Sequence, residues 1–406
     1  MRFPKITGLD RDQAKVYQGA PVEGTIMVIG PPGTGKTVVA FHRAHHLQGI
    51  GQSPHVLMYN KVLARYTAHR DTVALEVDVR TFHSWVSSWW RRMTNSFRPP
   101  SIEGDPYAHD WEKIQGLVVQ MLMNGTNPNE ISWGHLVIDE GQDFPAKMYA
   151  TLHSLMLIAN AKGATPPAAI TVLADENQRL QPGRNATLED IRQSLGLHEA
   201  DRNVFKLKKN YRNTREIAAF ASHFYVGLAS GQPDLPNKGG SVLPTISLAG
   251  GETAGKNWNA FVDKIARYAK SRRTEEIGVL VPSNDVRKTF VNRLKSRLSP
   301  EGIEVQSYAS NDNDAKAEDL VFDTPGHVTV INLQSAKGLE FDAVFIIDPG
   351  AVMMGAAELN VKMTLYVMCS RARSFLNLML VKDPNHARIL SWLPKPTGNY
   401  TVEELI

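Results

Sequence analysis

One loop constrains this chain more than any other stretch: Gly30-Pro31-Pro32-Gly33-Thr34-Gly35-Lys36-Thr37. It fits G-x-x-x-x-G-K-[ST] and lies between a short apolar run, Thr25 to Ile29, and a segment with Val38, Val39, Phe41, Ala44 and Leu47 at helical spacing. Strand, glycine-rich turn and helix, in that order, are what phosphate binding requires. The glycines let successive N–H groups turn inward around phosphate oxygens, and the helix N-terminus adds the positive end of its dipole. This places Gly33, Thr34 and Gly35 around the phosphates, Lys36 on the β- and γ-phosphates, and the Thr37 hydroxyl on Mg²⁺.

Further strand candidates are His55–Tyr59, Val77–Phe82, His135–Ile138 and Ala169–Leu173. A second series begins near Val204–Leu207 and continues through Ile277–Val281, Val328–Ile331, Ala343–Ile347 and Phe375–Val381. Helical segments from Trp258 to Lys270, Asp285 to Leu298 and Leu359 to Arg373 fall between them. Strands separated by helices of this length imply parallel sheets covered on both faces. The boundary is placed near Ala200, giving lobes 1–200 and 201–406. A Trp- and Arg-rich insert over 85–131 and a polar stretch from Gly231 to Lys256 read as connections.

Composition narrows the class. Among 406 residues, 42% are hydrophobic and 21% charged, which suits a globular chain rather than a disordered one. No run of apolar residues is long enough to span a membrane, and the first residues lack a secretory core. The single cysteine, Cys369, excludes an intrachain disulfide and a cysteine zinc cluster, so a reducing cytoplasmic setting is expected. Lys plus Arg number 45 against 41 Asp plus Glu, a net charge of +4 that permits a nucleic-acid partner without demanding one.

A second part of the site follows an apolar strand: His135-Leu136-Val137-Ile138 ends in Asp139-Glu140, then Gly141, Gln142 and Asp143. One carboxylate can hold Mg²⁺ and the next can orient and activate a water for attack on a γ-phosphate. Alone, such a pair is often only a solvated strand end; downstream of a phosphate loop it completes the requirements for ATP hydrolysis.

These boxes resemble those of the superfamily 1 helicases of the UvrD/Rep/PcrA group, in the same order along nearly the whole chain. Asp139 to Asp143 resembles D-E-x-Q-D, and Leu9 to Gln13 resembles the Q motif, which implies that Gln13 reads adenine. Ala174 to Gln178 resembles G-D-x-x-Q, with Gln178 as the implied γ-phosphate sensor. Asn210-Tyr211-Arg212 resembles N-Y-R, implying that Tyr211 stacks on adenine while Arg212 reaches the γ-phosphate. Ser335 to Asp342 resembles S-A-K-G-L-E-F-D and sets Glu340 near the ribose; Tyr366 to Ala372 resembles Y-V-A-x-T-R-A and makes Arg371 the arginine finger. The resemblance implies two tandem RecA-like α/β domains with ATP and Mg²⁺ in the cleft between them. It also implies 3′-to-5′ movement on single-stranded or tailed DNA, in repair, recombination or phage defence.

Strand contacts are implied at Asn60, Lys61, Thr81, Phe82 and His83. Departures from the family pattern are present too. No aromatic follows Gln178, Asn332 to Gln334 replaces T-x-H, and neither large accessory subdomain has room. These departures count against processive unwinding. The competing readings are an RNA helicase or remodelling ATPase, and an ATP-gated module that licenses a partner nuclease.

Three further clusters carry competing readings. Trp85 to Arg92 interleaves aromatics with cations and suits either a strand-binding surface or an insert packing its own tryptophans. His42, His45 and His46 lack the Glu of a zinc helix and read as a solvated helix face. Lys206, Lys208, Lys209 and Arg215 read as a solvated basic face.

Overall fold

The computed structural model describes residues 8–58, 77–96, 98–178, 185–198, 200–250, 254–309, 316, 319–322, 324–333, 335–352 and 357–405. Asn60 and Lys61, two of the expected strand contacts, lie outside the described residues, as do Arg179 to Gly183 and Gln334.

The first lobe is built on β1 (Gly24–Ile29), β2 (Pro54–Met58), β3 (Asp78–Thr81), β6 (His135–Ile138), β7 (Ala169–Ala174) and β8 (Val204–Lys206). They form a six-stranded sheet in the order β3-β2-β6-β7-β1-β8, every pairing parallel. A hairpin, β4 (Ser101–Ile102) with β5 (Asp105–His109), stands apart on the insert. The second lobe pairs β9 (Thr245–Ala249), β10 (Ile277–Val281), β11 (Glu304–Tyr308), β12 (His327–Asn332), β13 (Phe341–Ile347), β14 (Ala372–Val381) and β15 (Thr401–Leu405). Their order is β11-β12-β10-β13-β14-β9-β15, again all parallel.

Burial on both faces explains the continuous apolar runs of the central strands. Side chains alternate across a strand, so Ile26 and Val28 of β1 enter one core while Met27 and Ile29 enter another. β13 divides the same way, Val344 and Ile346 against Phe345 and Ile347. The first of these cores is shared: Val28 and Leu173 of the first lobe belong to one apolar cluster with Leu280, Ile331 and Tyr366 of the second. The lobes thus meet through buried hydrocarbon as well as polar contacts.

Four expectations are corrected. Val204–Lys206 does not open the second run, because β8 hydrogen-bonds to β1 and finishes the first sheet, so the boundary lies beyond Ala200. The polar stretch from Gly231 to Lys256 contains β9, a buried strand of the second sheet. The helix expected to reach Arg373 stops at Cys369, so Arg371 occupies the turn before β14. His42 is buried rather than solvated, since helix α2 (Lys36–Gly49) is covered by helix α1 (Arg11–Tyr17), whose Tyr17 ring lies 6.0 Å from the His42 ring.

The insert packs its own tryptophans. Trp85 and Trp89 stack at 5.6 Å with planes 4° apart, and the Trp133 ring meets both edge-on. Among the described residues no helix is long and apolar enough to cross a membrane.

Candidate nucleotide site between the lobes

The phosphate loop joins β1 to α2. Gly33 and Gly35 adopt φ of 83° and 81°, a region that side chains with a Cβ disfavour. Space adds to the demand: a Cβ on Gly33 would lie 2.5 Å from Asn210 Oδ1, and one on Gly35 would lie 2.7 Å from Gln13 Nε2. Thr34 is buried and donates to Pro31 O at 2.9 Å. Lys36 Nζ donates to Gly30 O at 2.7 Å and stands 3.6 Å from Asp175 Oδ2.

Thr37 Oγ1 donates to Asp139 Oδ2 at 2.7 Å, and Asp139 Oδ1 is buried without a hydrogen-bond partner. Burial, together with the adjacent Glu140 charge, raises the Asp139 pKa. Two hard oxygen donors side by side, one of them starved of a partner, fit a divalent cation such as Mg²⁺. Glu140 sits at φ 51°, backbone strain of about 1–3 kcal/mol for a non-glycine residue and a frequent mark of functional positions. Its Oε2 accepts from Gln142 Nε2 at 2.6 Å, while Gln142 Oε1 accepts from Asp175 N at 2.8 Å. Burial alone would raise the Glu140 pKa, but Lys337, Lys36 and Arg371 outweigh it and hold the carboxylate ionised.

The other bank comes from the chain beyond β8. Arg371 is fully buried, donates to Val367 O at 3.1 Å, and its guanidinium hydrogen-bonds Gln178 Oε1. Gln178 Nε2 in turn donates to Asp175 Oδ2 at 2.7 Å. One chain of contacts therefore runs Arg371, Gln178, Asp175, Lys36. Burial depresses the Arg371 pKa to about 10, with Arg212 adding to the effect, and the group still remains a cation at neutral pH. Arg212 pairs with Glu340 at 2.8 Å, and its buried Nε has no hydrogen-bond partner. Glu340 also receives Arg373 at 3.4 Å; burial would raise its pKa, but Arg212 and Arg373 drive it well below the carboxylate range.

Gly33, Gly35, Lys36, Thr37, Glu140 and Gln178 line one recess together with Arg212, Gly338 and Glu340. The structure thus brings these expected residues from both halves to one recess, with Asp139 attached through Thr37 and Arg371 through Gln178. Tyr211 is 42% exposed beside the recess, tied by its N–H to Gly33 O at 2.9 Å. Gln13 reaches the same loop, Nε2 donating to Thr34 O at 3.1 Å.

The expected strand contacts behave differently. Thr81 and His83 are half-buried at the end of β3 and the start of the helix Phe82–Thr94, and His83 Nδ1 lies 3.3 Å from His109 Nε2. Phe82 offers no face for a base. Its ring is buried, 5.0 Å from Phe144 and 5.9 Å from Trp111. This corrects its reading as a strand contact: in a parallel lobe the first residue after a strand can plug the core beneath the loop.

Sequence reasoning missed an ion pair across the cleft, Lys337 with Asp143, both nearly buried. Burial raises the Asp143 pKa to about 6, partly offset by Lys337. Both residues stand inside boxes already recognised, so the signal was present without its pairing. The link between the lobes was also missed. Asn213 Nδ2 donates to Ser370 O at 3.1 Å, and Thr214 N to Arg373 O at 3.0 Å, so Asn210 to Thr214 joins the phosphate loop to the second lobe.

A phosphate-loop lobe and a second parallel lobe, with Arg212 in the shared recess and Arg371 bonded to Gln178, define a two-lobed, RecA-like fold. Residues 13–184 match the family model of an AAA domain, and residues 327–379 match that of the UvrD-like helicase C-terminal domain. By these matches the chain is similar to the UvrD-like superfamily 1 helicases. A protein of Acanthamoeba polyphaga mimivirus, named as a candidate ATP-dependent DNA helicase, is 24% identical over 275 residues. The match covers 66% of this chain but 37% of that relative, so the chain spans little more than a third of its length. Among solved structures, Mss116p bound to single-stranded RNA and AMP-PNP aligns with 99% of this chain and 75% of its own, at TM-score 0.50 and 13% identity. That likeness is one of fold. The C-terminal domain of a possible DNA helicase from Lactobacillus plantarum covers 47% of this chain and 98% of its own, at 23% identity and TM-score 0.33.

Proposed function

We propose that this chain hydrolyses ATP to move along single-stranded DNA, 3′ to 5′, and to part a tailed duplex in repair, recombination or phage defence. The observation that carries this reading is the shared recess, in which the phosphate loop and Glu140 face Arg212 from the other half of the same chain, while Asp139 joins through Thr37 and Arg371 through Gln178.

Each residue then has a task its geometry supports. The loop amides and Lys36 hold the phosphates. Thr37 and Asp139 would hold Mg²⁺, which when bound neutralises phosphate charge. Glu140, kept ionised by three neighbouring cations, orients and deprotonates the attacking water. Gln178 and Arg371 meet at the γ-phosphate end, and Arg212 joins them when its Glu340 partner yields to the nucleotide. Planar guanidinium forks bind phosphate oxygens bidentately, which suits them to sense its presence and loss. Because these arginines hang from the second lobe, gain and loss of the γ-phosphate becomes closing and opening of the cleft. A strand lying across both lobes would be stepped by that cycle.

The test is hydrolysis with and without nucleic acid. Single-stranded DNA is expected to stimulate turnover many-fold, with the activity lost in Lys36→Ala, and a 3′-tailed duplex to be parted in preference to a 5′-tailed one. Stimulation by RNA alone would redirect the reading to an RNA motor. Hydrolysis indifferent to any strand would support a gate that licenses a partner nuclease.

A further inference from the structure

Asp10 joins two residues that the nucleotide reading keeps separate. It caps helix α1, with Oδ1 accepting from Gln13 N at 2.8 Å, and its own N–H donates to Gln13 Oε1 at 3.1 Å. Gln13 Nε2 donates to Thr34 O. A donor on one end of the amide and an acceptor on the other fix which end is oxygen, a matter otherwise left to the surroundings. The second Asp10 oxygen, Oδ2, accepts the Tyr211 hydroxyl, 201 residues away in sequence. Lys209 Nζ stands 4.9 Å from the centre of the Tyr211 ring, over the same side chain.

Roles of donor and acceptor are matched. Burial would raise the Asp10 pKa, but hydrogen bonds from Gln13 and Tyr211 bring it below the usual value, while burial and Asp10 raise that of Tyr211. At neutral pH an ionised carboxylate therefore accepts a hydrogen bond from a neutral phenol. The consequence concerns the base. Oriented as it is, the Gln13 amide keeps one free N–H and one free lone pair. An adenine edge complements that pair with N7 and the N6 amino group; guanine presents N7 and O6, two acceptors, and cannot satisfy the oxygen.

We propose that Asp10 is the positioning residue for base selection: a single carboxylate sets the Gln13 amide through the helix cap and the Tyr211 ring through its hydroxyl, so that the two act as one adenine-selecting unit spanning the phosphate loop and the segment Asn210 to Thr214. This rests on the nucleotide reading above and adds to it a residue that touches no substrate. It also gives a reason for the carboxylate, since a shorter cap would serve the helix alone.

The experiment is steady-state ATP and GTP hydrolysis by the full chain carrying Asp10→Ser, Asp10→Asn, Tyr211→Phe, or Asp10→Ser with Tyr211→Phe. Serine still caps the helix but is too short to reach the hydroxyl; phenylalanine keeps the ring and loses only the donor. Losing a hydrogen bond to a charged group should raise KM for ATP about tenfold in Asp10→Ser and in Tyr211→Phe, with kcat changed less than about twofold. KM for GTP should move little, so that the ATP preference shrinks, and Asp10→Asn should recover most of it. The double variant should be no worse than either single one, because both remove the same contact. Effects that multiply in the double variant, or an unchanged ATP-to-GTP preference in an active wild-type background, overturn the proposal and leave the nucleotide reading standing. A wild-type chain that neither binds nor hydrolyses ATP overturns both. Tyr211→Phe alters only an exposed ring's hydroxyl, so its result does not depend on the folding of the Asp10 variants.

Discussion

The two banks of the cleft are built on opposite principles. On the first bank the functional groups are held by neighbours close in the fold of their own lobe. Lys36 leans on its own loop carbonyls, Thr37 on Asp139, and Glu140 on Gln142. On the second bank each cation is occupied by something the nucleotide or the opposite lobe can replace or move: Arg371 by Gln178, Arg212 by Glu340, Lys337 by Asp143. A site that only binds would need the first bank alone. Partners that can be exchanged are what a machine needs if phosphate is to alter how its halves meet.

That contrast predicts where damage falls. The largest effect is expected from Arg371→Ala, a fall in DNA-stimulated kcat of about 10³-fold or more, the range for a guanidinium that stabilises phosphoryl-transfer charge. ATP affinity should fall far less. Glu140→Gln should lower single-turnover hydrolysis about 10²- to 10⁴-fold while retaining nucleotide binding, as loss of a general base does. If that variant keeps turnover, the water-activating group lies elsewhere and the first bank is misread. Phe82→Ala should act on folding rather than on the strand, costing about 3–5 kcal/mol in denaturant unfolding, because the ring sits in the core against Phe144 and Trp111. Weaker DNA binding at unchanged stability would restore its reading as a strand contact.

The smallest effect concerns pH. Asp143 carries a folded-state pKa near 6, above the ordinary carboxylate value of 3.8. The sign follows from linkage: as a group with a raised pKa, it contributes stability below its unfolded value and loses that contribution as pH rises through about 6. Acidification below about 6 therefore breaks the Lys337 ion pair without this group weakening the fold. Activity should decline several-fold over that window, and Asp143→Asn should flatten the decline while lowering activity at neutral pH. An unaltered profile in Asp143→Asn would remove the ion pair from the coupling between banks.

What could be read from sequence follows the same division. The first bank was legible because its residues sit in short runs whose spacing is itself the chemistry, as in Gly33 to Thr37 or Asp139 and Glu140. The central strands were legible as apolar runs for the reason that both their faces are buried. β11 and β15 were missed because edge strands such as Glu304–Tyr308 and Thr401–Leu405 are mostly polar and lack that signature. β9 was hidden by its polar flanks. Pairings across the cleft were out of reach: Lys337 and Asp143 are 194 residues apart, and no local pattern states which acid answers which base. Phe82 was misplaced because a motif gives residue type and order but not the side of the backbone on which a ring settles.

The central claim is that one chain supplies both banks to one nucleotide. Mixing Lys36→Ala with Arg371→Ala protein and measuring ATP hydrolysis with single-stranded DNA tests it most directly. Each variant lacks one bank, so within-chain completion predicts that the mixture stays at the background of the separate proteins. Recovery of hydrolysis on mixing would mean that the arginine reaches a neighbouring molecule's phosphate loop, and full activity in Arg371→Ala alone would mean that the second bank takes no part.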